Sequence, residues 1–418
     1  MMTQPMKRNQ RQPKGIVKKP KTSHFHAVND FKPSTSDFKD REGIALLDPG
    51  ELPIPSCSHG PCLLFGNNHD RWFSCAVYRT RELCNYRVDV SKDDDEFEYK
   101  NVKPLKFNYG QGTLSEILSD SNSVIYWCST CRSPVTIPHR DPVEEMSSEQ
   151  RRLLSSATSI LATKEANDGQ AQYWFDSKTL DVVLTNLKSF DSVLSIGCPT
   201  IFEKIRAMEN RKAFLLDYDH RFSNFFPPNE FAHYSMLNDH FYQSNGRKDL
   251  DNFLASARRL MIVVDPPFGV LITALQKTIE KVKARFLSKQ PKGRVQCLFF
   301  LPLFLRKHLN ELQMIDYKVT YSNHAQFKKP EKSIVRMFTD VDPEKFILPV
   351  DEGYRLCSRC RRYVSRENEH CEKCDSCTTV FGPTYVHCDR CNFCYKSTYT
   401  HCSQCKKCHL LDRCIRVY

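Results

Sequence analysis

Twelve of the chain's 20 cysteines fall between Cys357 and Cys414, in Cys-x-x-Cys pairs with histidines between them. Two thiolates at that spacing can grip one ion, and structural zinc takes four N or S ligands in a tetrahedron. Three copies of His-Cys-x-x-Cys-x-x-Cys occur: His370-Cys371-Cys374-Cys377, His387-Cys388-Cys391-Cys394 and His401-Cys402-Cys405-Cys408. Cys357 and Cys360 precede them, and His409 and Cys414 follow. Twelve cysteines and four histidines fill four sites with none left over. One pairing repeats: each Cys-x-x-Cys joins the next repeat's histidine and that repeat's last cysteine. It groups Cys357, Cys360, His370 and Cys377; then Cys371, Cys374, His387 and Cys394; then Cys388, Cys391, His401 and Cys408; and finally Cys402, Cys405, His409 and Cys414. The N-terminus is polar and basic, with no apolar signal core. The expectation is therefore a soluble, non-secreted protein whose cysteines bind metal rather than form disulfides. Such an array serves equally as a structural staple or as an RNA-binding surface.

Two smaller clusters lie upstream. Cys57-x-His59-Gly60 precedes Arg71-Trp72-Phe73-Ser74-Cys75 and Cys84-Asn85-Tyr86. This resembles the GRF zinc finger, which commonly binds single-stranded nucleic acid, although Asp70 stands where that motif has its glycine. The resemblance implies Cys57, His59, Cys75 and Cys84 as ligands and leaves Cys62 as a buried small hydrophobe. Trp72, Phe73 and Tyr86 are either base-stacking groups or this small module's core, and core is favoured for Phe73. Cys128-x-x-Cys131 with His139 supplies three ligands of a further site. Asp141 or a histidine from elsewhere is a candidate fourth, and two unpaired core cysteines would look similar. The C-terminal interleaving resembles the Cys-rich domain of membrane palmitoyltransferases. The His-His-Cys active site and apolar spans of those enzymes are absent from the sequence, so only the metal topology carries over.

A different chemistry sits at Asp265-Pro266-Pro267-Phe268, directly after the apolar run Leu260–Val264. Open α/β sheets bind ligands at the carboxyl ends of their strands. Asp-Pro-Pro-aromatic at the end of a fourth strand resembles the motif of amino-group methyltransferases acting on adenine. The lone pair of the adenine amine is delocalised into the ring. A carboxylate (Asp265) and a carbonyl (Pro266) that accept its two hydrogens redirect that lone pair at a methyl group. The prolines Pro266 and Pro267 stiffen the turn, and Phe268 stacks on the base. Val193 to Ile196 and Gly197 form a strand running into a turn, where this class has its glycine-rich loop. Asp217 ends the next strand, where a carboxylate takes ribose hydroxyls. Asn238 follows the third strand, where it would meet the cofactor's adenine. Gln172-Tyr173-Trp174-Phe175 resembles a cofactor-binding element of related enzymes, with ordinary core packing as the alternative for Tyr173 and Phe175.

The elements that must position these groups are legible from apolar patterning. Strands are expected at Val193–Ile196, Ala213–Leu216, His233–Leu237, Leu260–Val264, Val295–Leu301, Met314–Tyr321 and Ile334–Thr339. Helices are expected at Thr200–Met208, Leu250–Ala257 and Val270–Ser288, with another over Ser148–Lys164 whose face carries Leu153, Leu154, Ala157, Ile160 and Leu161. Strand–helix alternation means a mostly parallel sheet covered on both faces. The last two strands lack an intervening helix and are expected to pair antiparallel. The fold class is thus α/β: a class I methyltransferase sheet of seven strands, flanked by zinc-finger modules. The expected divisions are a disordered basic tail (1–50), a GRF-type finger (51–90), a linker and second finger (91–145), the S-adenosylmethionine-dependent domain (146–350) and the zinc array (351–418). The longest apolar run, Cys297 to Leu305, is broken by Pro302 and falls far short of the roughly 18 residues a membrane span needs. The formal charge is +12, and residues 1–21 hold seven Lys or Arg and no acid. That excess suits a phosphate backbone, a nuclear address, or a solvated tail.

Taken in order, these parts resemble the zinc-knuckle rRNA N6-adenosine methyltransferase family, and the segment from Tyr317 to His324 resembles its late-strand region. The resemblance implies S-adenosylmethionine and zinc as cofactors and large-subunit ribosomal RNA as partner. It further implies methyl transfer to an adenosine N6 amine, and residence in the nucleus, chiefly the nucleolus, and the cytoplasm. The family's Cys-Cys-His-Cys knuckle does not follow Cys414 here. A zinc-dependent RNA-binding factor with a non-catalytic methyltransferase core is the alternative, favoured by the single Gly197 and opposed by the intact Asp265–Phe268. A RING-like ubiquitin ligase fits neither the ligand order nor the central sheet.

Overall fold

The computed structural model describes residues 44–77, 83–91, 97–107, 109, 124–164, 171–309, 311–379, 384–411 and 413–414, all within one compact unit beginning at Asp40. Most of the expected tail (1–50) lies outside the described residues. Ala45–Leu46, expected in that tail, instead pairs with Phe65–Gly66 of the first finger.

Apolar runs such as Leu260–Val264 are buried on both faces, as parallel strands between two helical layers must be. Eight strands form the central sheet: β1 (Ser192–Ile196), β2 (Lys212–Asp217), β3 (Phe231–Ser235), β4 (His240–Phe241), β5 (Arg259–Val264), β6 (Arg294–Pro302), β7 (Gln313–Ile315) and β8 (Val335–Thr339). Their spatial order is β4-β3-β2-β1-β5-β6-β8-β7. β3, β2, β1, β5 and β6 run parallel. β8 runs antiparallel to both β6 and β7, as the missing connecting helix requires. All seven expected strands are present, and the two-residue edge strand β4 is added to them. Strand order reverses between β1 and β5, which opens a crevice at their carboxyl ends, the place where such sheets bind ligands.

Four helices cover the sheet: α1 (Ser177–Leu187), α2 (Pro199–Arg206), α3 (Gly246–Ser256) and α4 (Ile272–Lys289). Asp176 caps α1 by accepting the Thr179 N–H at 2.9 Å. Pro199 starts α2, where its missing N–H costs nothing. Leu180, Val183, Ile201 and Ile205 of α1 and α2 pack on one face of the sheet. Leu250, Leu254, Leu275 and Ile279 of α3 and α4 pack on the other.

Two expected elements are broken. The helix over Ser148–Lys164 holds only at Ser148–Arg152 and Ala157–Ile160, with a 3₁₀ turn at Leu153–Ser155 between. Ser156 is extended there, and the Glu203 carboxylate of α2 collects its hydroxyl together with the Thr158 N–H and hydroxyl. Leu153 is exposed as a result, while Leu154, Ala157 and Leu161 remain buried. The strand expected over Met314–Tyr321 ends at Ile315. Asp316 is taken by the Ser365 N–H and the Asn368 amide of the C-terminal array. Val319 still donates to the Val335 carbonyl of β8, and the residues after it clamp 172–176, with Thr320 Oγ1 donating to Asp176 at 2.6 Å and Asn323 bonding Trp174 and Gln172.

The expected linker is not a free spacer where it is described. Phe97 stacks on Phe73 at 5.6 Å, and Val102 and Leu105 donate to Ser56 and Ser58 of the first finger. Its acidic residues at 93–96 lie outside the described residues.

Candidate active site and metal centres

β5 delivers Asp265 to the switch point, and the Asp265 N–H donates to the Ile196 carbonyl of β1 at 3.1 Å. This bond joins the end of the cofactor strand to the first residue of the Asp-Pro-Pro-Phe turn. Gly197 lies beside it at φ +69°, a conformation that favours glycine. A Cβ here would sit 2.8 Å from the Asp265 carbonyl oxygen and 3.1 Å from Met236. One glycine therefore suffices, because a single residue needs the close approach.

The Asp265 carboxyl accepts the Tyr321 hydroxyl at 3.1 Å. The residue keeps some exposure, but its carboxyl is enclosed, and that desolvation raises it well above the usual carboxylate range against the lowering effect of Tyr321. Asp217 ends β2 nearby and adds a further raising charge. Burial pushes Asp217 itself up to about 7, although the Asp219 N–H donates to it at 2.8 Å. Cys198 is buried beside both carboxyls, and desolvation raises its thiol strongly.

Aromatic rings line the mouth of the turn. Tyr173 stacks on Phe268 with centroids 6.0 Å apart and lies 4.5 Å from His324. Phe327 closes against Phe268 at 5.6 Å and lies flat on His324 at 4.0 Å. His324 Nδ1 accepts the Gln326 and Phe327 N–H groups, which holds the ring. Phe175 is buried between Phe300 and Tyr321 and pairs with Tyr321 by a backbone bridge. Tyr321, His324 and Phe327 had no role assigned from sequence. Tyr321 and His324 fall in the family-like stretch from Tyr317 to His324, and Phe327 lies three residues beyond it.

Ile196, Gly197, Asp217, Asp265 and Phe268 thus converge with Tyr173 and Phe175. Gln172 is placed differently. Its amide donates to Asp219 at 2.8 Å, and its carbonyl oxygen accepts Arg221 at 3.2 Å. Arg221 holds the buried Asp219 in a bidentate pair and depresses its carboxyl. Arg221 also donates to the Arg132 carbonyl of the second finger. Asn238 is engaged by the first finger, its amide donating to the Pro61 carbonyl at 2.8 Å. Beside Asp217 in register, β3 carries His233 under a cover of Phe107 and Tyr109, with Tyr109 Oη 2.8 Å from Nδ1. Burial pulls His233 down to about 3, so it is neutral.

The Cys/His residues assemble as five quartets: Cys57-His59-Cys75-Cys84 and the four interleaved groups of the C-terminal array. The array is a chain of short hairpins, each with a Cys-x-x-Cys at its tip. The residue after the second cysteine is left-handed at Arg361, Asp375, Asn392 and Lys406, as it is at Arg132 in the second finger. That turn lets backbone N–H groups point at the thiolates. In the three hairpins after the first, a histidine and a cysteine are cross-strand partners: His370 with Cys377, His387 with Cys394, and His401 with Cys408. Tip and cross-strand pair belong to different sites, so each of these three hairpins links two quartets.

The donors suit zinc. A tetrahedron with Zn–S near 2.3 Å has edges of about 3.8 Å. Sulfur pairs Cys374–Cys394, Cys391–Cys408 and Cys402–Cys414 lie 3.6, 3.7 and 3.7 Å apart. His387 and His401 present Nδ1 to their cysteines. His409 bonds the Leu410 carbonyl through Nδ1, leaving a buried Nε2 without a hydrogen-bond partner. Asp375 and Asp389 lie 3.3 and 3.6 Å from Nε2 of His370 and His387, where a carboxylate orients a ligating ring. In the second finger Cys131 Sγ lies 3.4 Å from His139 Nε2, and the Cys131 N–H donates to Cys128 Sγ. Cys62 is buried in the first finger. The aromatics of that finger are engaged internally: Phe73 is in its core, Arg87 covers Trp72 at 4.4 Å, and Tyr86 donates to the Lys100 carbonyl.

A strand order with one switch point, a glycine turn on its first strand and Asp-Pro-Pro-Phe on its fourth parallel strand define a class I methyltransferase core of the kind directed at amines. Residues 166–341 match the family model described as probable N6-adenine methyltransferase. Over 390 residues the chain is 32% identical to the rRNA N(6)-adenosine-methyltransferase ZCCHC4 of Homo sapiens, covering 82% of this chain and 74% of the relative. The proteins of the same name from Xenopus tropicalis and Mus musculus are 31% and 30% identical over 375 and 371 residues, covering 79% and 78% of this chain and 76% and 72% of those relatives. The chain belongs to the rRNA N6-adenosine methyltransferase family.

Proposed function

We propose that this protein methylates the N6 amine of an adenosine in large-subunit ribosomal RNA, with S-adenosylmethionine as donor and zinc in its Cys/His quartets. The observation that carries the reading is the rigid Asp265–Phe268 turn, tied to the end of β1 and enclosed by aromatic rings. S-adenosylmethionine supplies a methyl group already activated on a sulfonium. Gly197 leaves room for it, and the Asp217 carboxyl is placed to accept ribose hydroxyls, as strand-end carboxylates do in related sheets. Asp265 and the Pro266 carbonyl accept the two amine hydrogens and direct the nitrogen lone pair. Phe268, with Tyr173 and His324 beside it, offers the face on which an extruded base stacks. Preorganised placement and electrostatics then supply the rate. We also propose nucleolar and cytoplasmic residence, supported by the family resemblance and the basic run in residues 1–21.

The test is Asp265→Ala. Methyl transfer should fall about 100- to 1,000-fold, the usual cost of removing one preorganised electrostatic interaction. Calorimetric affinity for S-adenosylmethionine and the melting temperature should hold, because the amine is absent from that complex. A stable variant that methylates RNA at near wild-type rate would leave an RNA-binding factor with a non-catalytic core as the better reading.

A further inference from the structure

Between the first finger and the α3/α4 face of the core lies an open cleft of about 610 Å³. Ile54 and Pro61 form one wall, and Asn238, Asp239, Arg247, Lys281 and Arg285 line the other, three cations against one acid. The cleft is joined, not accidental: Asn238 bonds Pro61, the Tyr242 hydroxyl donates to the His59 carbonyl, and His240 packs where a Cβ on Gly60 would sit. Its charge is lopsided. Arg285 is paired with Asp251 at 3.3 Å, and Asp239 accepts the Tyr234 hydroxyl at 2.9 Å. Arg247 and Lys281 are exposed, and among the described residues neither has a carboxylate within ion-pair reach. Arg247 instead lies over the Phe241 ring at 5.4 Å.

We infer that this cleft holds the phosphodiester backbone of the RNA substrate, with Arg247 and Lys281 contacting phosphates. The inference rests on the reading of the protein as an RNA methyltransferase and adds a second binding region, built from finger and core together. Two unpaired cations on long side chains at the rim of an open cleft suit an extended polyanion that continues past the walls. A compact metabolite is better served by an enclosed pocket with several convergent polar groups. Arg247 and Lys281 lie one helical turn from the Asp251–Arg285 pair that fixes α3 against α4, so the cations are mounted on a braced surface. Phosphate contacts position a nucleic acid without reading its sequence. The cleft therefore sets how RNA lies across the protein, and the aromatic mouth at Phe268 receives the base.

The experiment uses the full chain and a labelled single-stranded RNA oligonucleotide, titrated at several salt concentrations. Arg247→Glu with Lys281→Glu should weaken binding about tenfold or more at low salt. It should also flatten the plot of log affinity against log salt by about 1.4, from roughly 0.7 for each phosphate left without its cation. Calorimetric affinity for S-adenosylmethionine and zinc content should match wild type. The exchange Arg247→Lys with Lys281→Arg should keep both affinity and slope. Lys178→Glu with Lys188→Glu, the same charge change on α1 and its C-terminal cap, should cost much less. Unchanged affinity in the cleft variant, or equal weakening by the two Glu pairs, overturns the cleft while leaving the methyltransferase reading intact. A wild-type protein that neither binds nor methylates RNA overturns the reading beneath it.

Discussion

At the scale of single residues, Asp265 works against its surroundings. Enclosure favours the protonated carboxyl, but only the carboxylate can accept the hydrogens of an amine. Tyr321 opposes that enclosure by donating a hydrogen bond to Oδ1. Removing its hydroxyl leaves the carboxylate less stabilised and its pKa higher. For Tyr321→Phe the acid limb of the kcat profile should therefore move to higher pH. A hydrogen bond to a charged group is worth about 1.5 kcal/mol, so the rate on that limb should drop near tenfold. A role confined to packing would lower activity equally at all pH values. The pH profile of methyl transfer distinguishes the two.

At the scale of elements, the hairpins of the C-terminal array are links rather than beads. His387 belongs to one quartet, while the hairpin it anchors carries Cys388 and Cys391 of the next. His387→Ala should therefore disturb two sites, whereas Cys414→Ala, on the last quartet alone, should disturb one. Mass-spectrometric metal counts on the full chain should show a deficit approaching two zinc ions for the first variant and one for the second. Equal deficits would mean the sites are independent. Folding of these hairpins depends on the metal, because four mostly half-buried donors with no ion repay little of the ordering entropy. Chelation should unfold them before the central sheet, whose two apolar layers need no metal.

At the scale of the molecule, zinc modules and catalytic core share interfaces. Arg221 ties the second finger to the Asp219–Gln172 network beside Asp217. The turn after β3 touches Gly197 through Met236 and the first finger through Asn238. The fingers are thereby held in fixed register with the site. Residues 1–21 add seven basic groups and no acid. Deleting them should flatten the salt dependence of RNA affinity, and every phosphate that they neutralise should account for about 0.7 of the slope. If affinity and slope stay unchanged while a fluorescent fusion of the truncated chain leaves the nucleolus, the segment is an address instead.

The sequence by itself determined what depends on local spacing and on runs of one character. Cys-x-x-Cys repeats specify quartets because a hairpin tip holds two thiolates wherever it stands. Apolar strands such as Leu260–Val264 specify a buried parallel sheet, and Asp265 follows one of them directly. Tertiary structure decided what depends on groups far apart in the chain. Tyr321 meets Asp265 because the segment after β7 is drawn away from regular pairing, by Asp316 to the array and by Thr320 to Asp176. Glu203 breaks a helix whose own apolar face is continuous. Gln172 turns to a buried ion pair and Asn238 to a neighbouring module. In each case a buried or half-buried polar group had to find a partner, and the partner stood in another part of the chain.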